Sequence, residues 1–314
     1  MPPLVNNSGA LSHVWVQHWR LLSRGGFFLL FLLAPALNIF RLDLDAGGFI
    51  LFGQELSLGL SGFFKGGAVD PLTAGMSVLT HAILPVLGFI ALVVLISWRY
   101  GRLYCSWLCP HFSVVEIING LMLKARGKPT LWEPATIFAD WRYWSVVIVV
   151  SLLLAFVWAV SLLTYLLPPE KIFYNLTHAQ LTPNQMRFIA VGTLLLFIDF
   201  VFARHLFCRF GCAAGMFQSL VWMGNRQALT PLFERERAVV CQGCPQSCDT
   251  VCPMRLKPRG GKNKIASCTQ CGLCLQACDQ ERGEAAPLRW QQGKEIDGHS
   301  GGYTQLPPSV DKRK

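Results

Sequence analysis

The chain has 314 residues, 52% of them hydrophobic and only 15% charged, with Lys and Arg outnumbering Asp and Glu by 28 to 18. Such a composition is too apolar for an ordinary soluble domain, and the length allows two domains. The basic excess points to an anionic membrane leaflet as its neighbour and not to nucleic acid, because no basic motif interleaved with aromatics accompanies it.

Four apolar stretches have the character of membrane helices. The first runs from about Gly26 to Phe40 with Pro35 as a kink, and no small-residue cleavage site follows it, so it is expected to stay as an anchor. A Gly-, Leu- and Phe-rich loop from Leu42 to Thr80 follows. The second span, Ala82 to Trp98, is about 17 residues, roughly 26 Å of helix. The third is Trp144 to Leu167, and the fourth, Phe188 to Ala203, holds one acid, Asp199. Trp98, Trp144 and Tyr165 near the span ends suit the interfacial belt.

Arg99, Arg102, Lys124, Arg126, Lys128 and Arg142 follow span two, and Arg204 and Arg209 follow span four. Only Arg41, Lys65, Lys171 and Arg187 occupy the other side. By the positive-inside rule the expectation is a multi-pass protein of the bacterial cytoplasmic (inner) membrane with both termini cytoplasmic.

Each of spans two and four ends in arginine and then a Cys-x3-Cys pair. The copies are RLYCSWLCPHFSVVEIING (Arg102 to Gly120) and RHLFCRFGCAAGMFQSLVWMG (Arg204 to Gly224). The repeat implies two pseudo-equivalent helical hairpins that bring Cys105, Cys109, Cys208 and Cys212 to one membrane surface. These four thiols are candidates for a further redox or metal site, with Cu(I) or iron–sulphur favoured by soft ligands, or for a redox-active dithiol pair. Buried structural cysteines are the plain alternative. Asp199 is a candidate proton acceptor, because an ionisable group within a span is costly. A salt bridge to Arg204 is the competing role. His111 and His205 are candidate outer partners of the cysteines.

From Asn225 the apolar runs stop. Two cysteine runs follow: CQGCPQSCDTVCP (Cys241 to Pro253) and CTQCGLCLQACD (Cys268 to Asp279). The second has the C-x2-C-x2-C-x3-C spacing of a [4Fe–4S] segment, and the first has one extra residue between its second and third cysteines. In two-cluster ferredoxins the fourth cysteine of each run serves the other cluster. That pattern gives Cys241, Cys244, Cys248 and Cys278 to one cluster and Cys252, Cys268, Cys271 and Cys274 to the other. Disulfides fit badly at such close spacing, and a pair of four-cysteine zinc sites is the rival.

On these residues the chain resembles the membrane-bound polyferredoxins, the NapH, NosR, MauN and CcoG-like proteins. GRLYCSWLCP (Gly101 to Pro110) and FIDFVFARHLFC (Phe197 to Cys208) are similar to NapH. QACD (Gln276 to Asp279) and NIFRLDLDAGGFILFG (Asn38 to Gly53) are similar to CcoG. The resemblance implies electron transfer through two [4Fe–4S] clusters, with quinol as donor in NapH-like members and copper reduction for oxidase assembly in CcoG-like ones. Two positions depart from the family pattern: Cys212 is followed by Ala213 where the family has proline, and the first tail run is one residue longer.

The expected fold is an α-helical membrane protein of about four spans in two pseudo-repeated hairpins, carrying a small α+β two-cluster ferredoxin-like domain. Its divisions are 1–224 (membrane), 225–290 (ferredoxin-like) and 291–314 (polar tail). The expected function is electron transfer between the quinone pool and a partner redox protein, with the lipid bilayer as the third partner. A copper reductase or assembly factor, and a zinc-bearing adaptor without redox chemistry, are the alternatives. No nucleotide fingerprint stands out.

Overall fold

The computed structural model describes residues 9–44, 48–56, 71–127 and 142–292. Lys65, Lys128 and nearly all of the polar tail expected over 291–314 lie outside the described residues.

Helix α1 (Gly9–Leu33) begins and ends earlier than the apolar run suggests. Pro35 therefore follows the helix and does not kink it. The reason is Arg20 and Arg24, both buried, whose guanidiniums converge on Glu116 from a later helix. Local apolarity hides a helix whose charges are neutralised from far along the chain. The loop then turns back as a three-stranded antiparallel sheet, β1 (Phe40–Asp43), β2 (Gly48–Leu51) and β3 (Gln54–Leu56). Backbone N–H groups of Leu42 and Leu44 donate to the carbonyls of Tyr165 and Leu166.

The second span lies within a longer helical run: α2 (Pro71–Val78), a π-helical stretch (Leu79–Ile83) and α3 (Leu84–Tyr100). After the first cysteine pair, α4 (Leu103–Trp107) and α5 (Pro110–Arg126) follow. The third span is α6 (Tyr143–Thr164), joined through the short α7 (Pro169–Thr177) to α8 (Pro183–Ile198). Thr182 caps α8 in a reciprocal box with Gln185, and Pro183 sits at the first helical position, where no N–H is needed. A π-helical stretch (Asp199–Ala203) extends α8, a second one (Phe207–Gly211) carries Cys208, and α9 (Ala213–Met223) follows Cys212.

Two helical segments, Tyr143–Thr164 and Pro183–Ala203, are long and apolar enough to cross a membrane, and Leu84–Tyr100 is apolar but shorter. Of the four expected spans, two are helices of that length among the described residues. A core of Val114, Val115, Ile118, Met122, Val147, Trp158 and Phe200 joins α5 and α6 to the end of α8. The halves of the repeat interlock: α9 packs on α3, and α5 packs on the Asp199–Ala203 stretch.

In the tail, β4 (Thr230–Phe233) pairs antiparallel with β5 (Leu288–Gln291). Between them lie α10 (Ser247–Thr250) and α11 (Leu273–Arg282), packed against each other. This is a small α+β ferredoxin-like unit in which each helix follows a cysteine pair.

Candidate iron–sulphur and thiol sites

The eight tail cysteines fall around two cavities. One, with about 360 Å³ of empty space partly open to solvent, is lined by Cys241, Cys244, Cys248 and Cys278. The other, about 410 Å³, is lined by Cys252, Cys268, Cys271 and Cys274. Three thiols in each come from one run and the fourth from the other. The partition follows from the fold: α10 and α11 lie side by side, so the cysteine that ends each run faces the cavity of its neighbour.

The extra residue of the first run has a local explanation. In the second run Gly272, two before Cys274, takes a left-handed conformation (φ 76°), and α11 starts at the next residue. In the first run Gln246 does the same (φ 61°), two before Cys248. The insertion is therefore absorbed at Pro245, and Cys244 and Cys248 still reach one cavity.

The two cavities differ in surroundings. The first is edged by Arg259, Arg282 and Glu281, and Arg259 donates to the Asp249 carboxylate at 2.6 Å. The second is walled by Pro231, Met254, Leu256, Ile265 and Trp290. Burial pushes the Cys252 thiol up to about 11 and Cys248 up to about 12, and raises Cys268 and Cys274 strongly as well. Such thiols are protonated when free at neutral pH, so taking up metal releases protons. Among the described residues no three His, Cys, Asp or Glu side chains are poised to hold a single metal ion.

The other four cysteines also gather. Cys105 donates to the Gln218 side-chain oxygen at 3.5 Å, and the Cys212 sulphur accepts from the Gly215 N–H at 3.4 Å. Burial raises Cys109 to about 11 and Cys208 higher still, each feeling the Cys105 and Cys212 thiols nearby. The backbone repeats more closely than the letters. Gly101 (φ 67°, ψ −137°) breaks the chain after α3 and Arg204 (φ 46°, ψ −117°) after α8. Each break stands four residues before the first cysteine, and the second cysteine is the N-cap of the next helix. The counterpart of Arg102 is therefore His205, not Arg204. Ala213 takes the first helical position as Pro110 does, so the missing proline leaves the geometry intact.

Asp199 does not use its side chain on Arg204, which instead donates to the Asn119 side-chain oxygen at 3.0 Å. One Asp199 oxygen lies 2.6 Å from Nε2 of His111, whose Nδ1 lies 3.4 Å from the Cys208 sulphur. The other, Oδ1, is buried without a hydrogen-bond partner among the described residues. His205 packs at a tilt against Phe112, both ring nitrogens lack a hydrogen-bond partner among the described residues, and burial followed by the Arg204 charge pushes it down to about 3, so it is neutral.

The tail docks onto these thiols. Ser106 Oγ donates to the Thr269 carbonyl at 2.6 Å and Gln17 to the Cys271 carbonyl at 2.7 Å. Cys208 and Trp222 share one apolar cluster with Met254, Leu256 and Ile265, against which Cys109, Cys252 and Cys268 pack. Sequence reasoning gave Arg102, Gln218 and Gln270 no part at this junction, since their contacts here are non-local.

A family model described as a 4Fe-4S binding domain matches residues 82–129, which contain Cys105 and Cys109 but no tail cysteine. YccM of Escherichia coli (strain K12), whose name assigns it provisionally to electron transport, is 26% identical over 210 residues, 64% of this chain and 54% of YccM. Protein RdxA of Cereibacter sphaeroides is 26% identical over 199 residues, 57% of this chain and 40% of RdxA. The regulatory protein NosR of Stutzerimonas stutzeri is 24% identical over 207 residues, 63% of this chain and 25% of NosR. The matched stretch is about half of YccM and less of the other two. No solved structure matches the chain with significance.

Proposed function

We propose that this chain, a NapH/NosR-like iron–sulphur protein, is a membrane-bound electron carrier that passes electrons between the quinone pool and a partner redox protein. The observation that carries the reading is the pair of four-thiol cavities with crossed fourth cysteines. Two [4Fe–4S] clusters fit that donor set: Cys241, Cys244, Cys248 and Cys278 would hold one, and Cys252, Cys268, Cys271 and Cys274 the other. When bound, such clusters supply one-electron chemistry at a potential set by charge, hydrogen bonds and exposure. Zinc ribbons built from local C-x2-C pairs have no need of a crossed fourth thiol.

The chain is read as a multi-pass inner-membrane protein with four spans and cytoplasmic termini. Lys/Arg placement supports that reading, as do apolar side chains left bare on α3, α6 and α8, such as Phe89 (68% exposed), Val149 (63%) and Leu195 (62%). The chain divides into a membrane part (1–224), a ferredoxin-like part (225–290) and a tail (291–314). Cys105, Cys109, Cys208 and Cys212, beside the Cys252/Cys268 cavity, are read as a further redox or metal centre or as the lining of a quinone site. Asp199, held by His111 and with one oxygen lacking a hydrogen-bond partner among the described residues, is the group to accept a proton when quinol gives up its electrons.

Iron, sulphide, zinc and copper analysis of anaerobically purified protein, with EPR before and after reduction, tests the reading. About eight irons per chain and reduced-cluster signals are expected. Zinc without a redox signal overturns it in favour of an adaptor. Copper that depends on Cys105 and Cys208, with quinol unable to reduce the clusters, transfers it to metal handling.

A further inference from the structure

Ser106 is a fully buried serine that directly follows Cys105 in α4. Helical serines commonly spend the hydroxyl on a carbonyl one turn back, as Ser113 does on Cys109 and Ser219 on Gly215. Ser106 instead donates across the junction to the Thr269 carbonyl at 2.6 Å, 163 positions further along the chain. Thr269 is also buried and directly follows Cys268. The bond therefore joins the residue after a membrane cysteine to the residue after a tail cysteine, with a single peptide link on either side.

Both ends of this bond are clamped. The Ser106 carbonyl accepts from Arg20 Nε at 3.2 Å and the Trp107 carbonyl from Ser23 Oγ at 3.1 Å, so α1 holds α4 in place. On the tail side, Gln17 donates to the Cys271 carbonyl at 2.7 Å, and Gly101 sits so close to Gln270 that an added Cβ would lie 2.6 Å from its amide nitrogen. The second copy of the repeat has Arg209 in the place of Ser106, directly after Cys208. Arg209 also turns to the tail, but through a long side chain whose Nη1 stands 3.5 Å from the Met254 carbonyl, two residues past Cys252. Cys252 and Cys268 line the same cavity, and the route to it through Ser106 is the shorter and tighter one.

We infer that the Ser106–Thr269 hydrogen bond is the bridge by which electrons cross from the membrane thiols to the Cys252/Cys268/Cys271/Cys274 centre, along Cys105, Ser106, Thr269 and Cys268. The inference rests on the reading of this chain as a quinol-linked carrier with two clusters. Tunnelling decays less steeply along covalent bonds and a short hydrogen bond than across a gap, and a hydrogen bond in a buried junction is strong and rigid. The rival route is the apolar cluster in which Cys109 and Cys208 meet Cys252 and Cys268, where there is packing but no such bond. Each crossing moves one electron: the donor on the thiol side is oxidised by one electron, the cluster is reduced by one, and the protons of quinol stay on the donor side. Ser106 neither binds the cluster nor takes a proton; it is a positioning residue that closes the path.

The test is rapid mixing of the full, iron-loaded chain with quinol, comparing wild type with Ser106→Ala, Ser106→Thr and Arg209→Met. Iron is counted, cluster potentials are titrated and protease nicking of the tail is followed in each sample. Ser106→Ala is expected to slow quinol-driven cluster reduction several-fold, while iron, potentials, dithionite reduction and nicking stay as in wild type. Ser106→Thr, which keeps a hydroxyl, should restore most of the rate, and Arg209→Met should run near wild type. An unchanged rate in iron-loaded Ser106→Ala overturns the bridge, as does an equal slowing in Ser106→Thr or Arg209→Met. Loss of iron or faster nicking in Ser106→Ala marks a docking role and overturns it too. A wild-type chain that lacks iron, or whose clusters quinol leaves oxidised, fails the carrier reading instead.

Discussion

At the scale of single residues, the crossed cysteines make the sharpest claim. Cys241 and Cys278 stand far apart in sequence yet face one cavity, as do Cys252 and Cys268. Cys241→Ser and Cys278→Ser should therefore leave the same residual EPR spectrum and about four irons each. Cys252→Ser and Cys268→Ser should share the complementary spectrum. Four different residual spectra would break the assignment. Asp199 makes a second claim. Asp199→Asn keeps the contact to His111 but removes the carboxylate, so quinol-driven cluster reduction should slow at least tenfold. Reduction by dithionite should be unaffected. Unaltered quinol kinetics across pH 6 to 8 would reduce Asp199 to a structural partner of His111.

Whole elements show where the letters suffice and where they do not. The apolar helices α6 and α8 are plain in sequence because nothing local interrupts their apolarity. Helix α1 is not, because Arg20 and Arg24 look like solvent-facing charges until Glu116 is brought beside them. The β1–β3 sheet is equally hidden, since Arg41 and Asp43 are buried only as a pair. The cysteine repeat is legible, but its register is not: matching arginines misaligns it by one, and only the backbone breaks at Gly101 and Arg204 set it right. The break at Gly101 is demanding, with positive φ and both Gln270 and the fully buried Trp222 within 3 Å of an added Cβ. Gly101→Ala should cost about 1–3 kcal/mol and loosen the tail from the membrane helices. Protease nicking near residue 225 would read that out. Deleting Pro245 should be tolerated with iron content unchanged, because Gln246 and the start of α10 keep the register that places Cys248. Loss of half the iron would show that Pro245 shapes the cavity.

The molecule as a whole arranges its sulphur in series. Cys109 and Cys208 share an apolar cluster with Cys252 and Cys268, and Cys274 of that second cavity packs on the cluster that holds Cys248 and Cys278 of the first. The apolar cavity thus lies inward, against the helices, and the polar one outward with Arg282 and Glu281 at its edge. None of this order is legible from spacing, in which the two runs differ only by the one extra residue of the first. It arises because α1 donates Gln17 to the second run alone and Ser106 reaches Thr269. An electron from the membrane should therefore reach the Cys252/Cys268/Cys271/Cys274 centre first. In Cys241→Ser protein, quinol should still reduce the remaining cluster at near wild-type rate. In Cys252→Ser protein, the outer cluster should stay reducible by dithionite yet be reduced by quinol far more slowly, because its inner relay is gone. Equal quinol kinetics in both variants would mean that each cluster has its own route from the membrane, and the series order would fall.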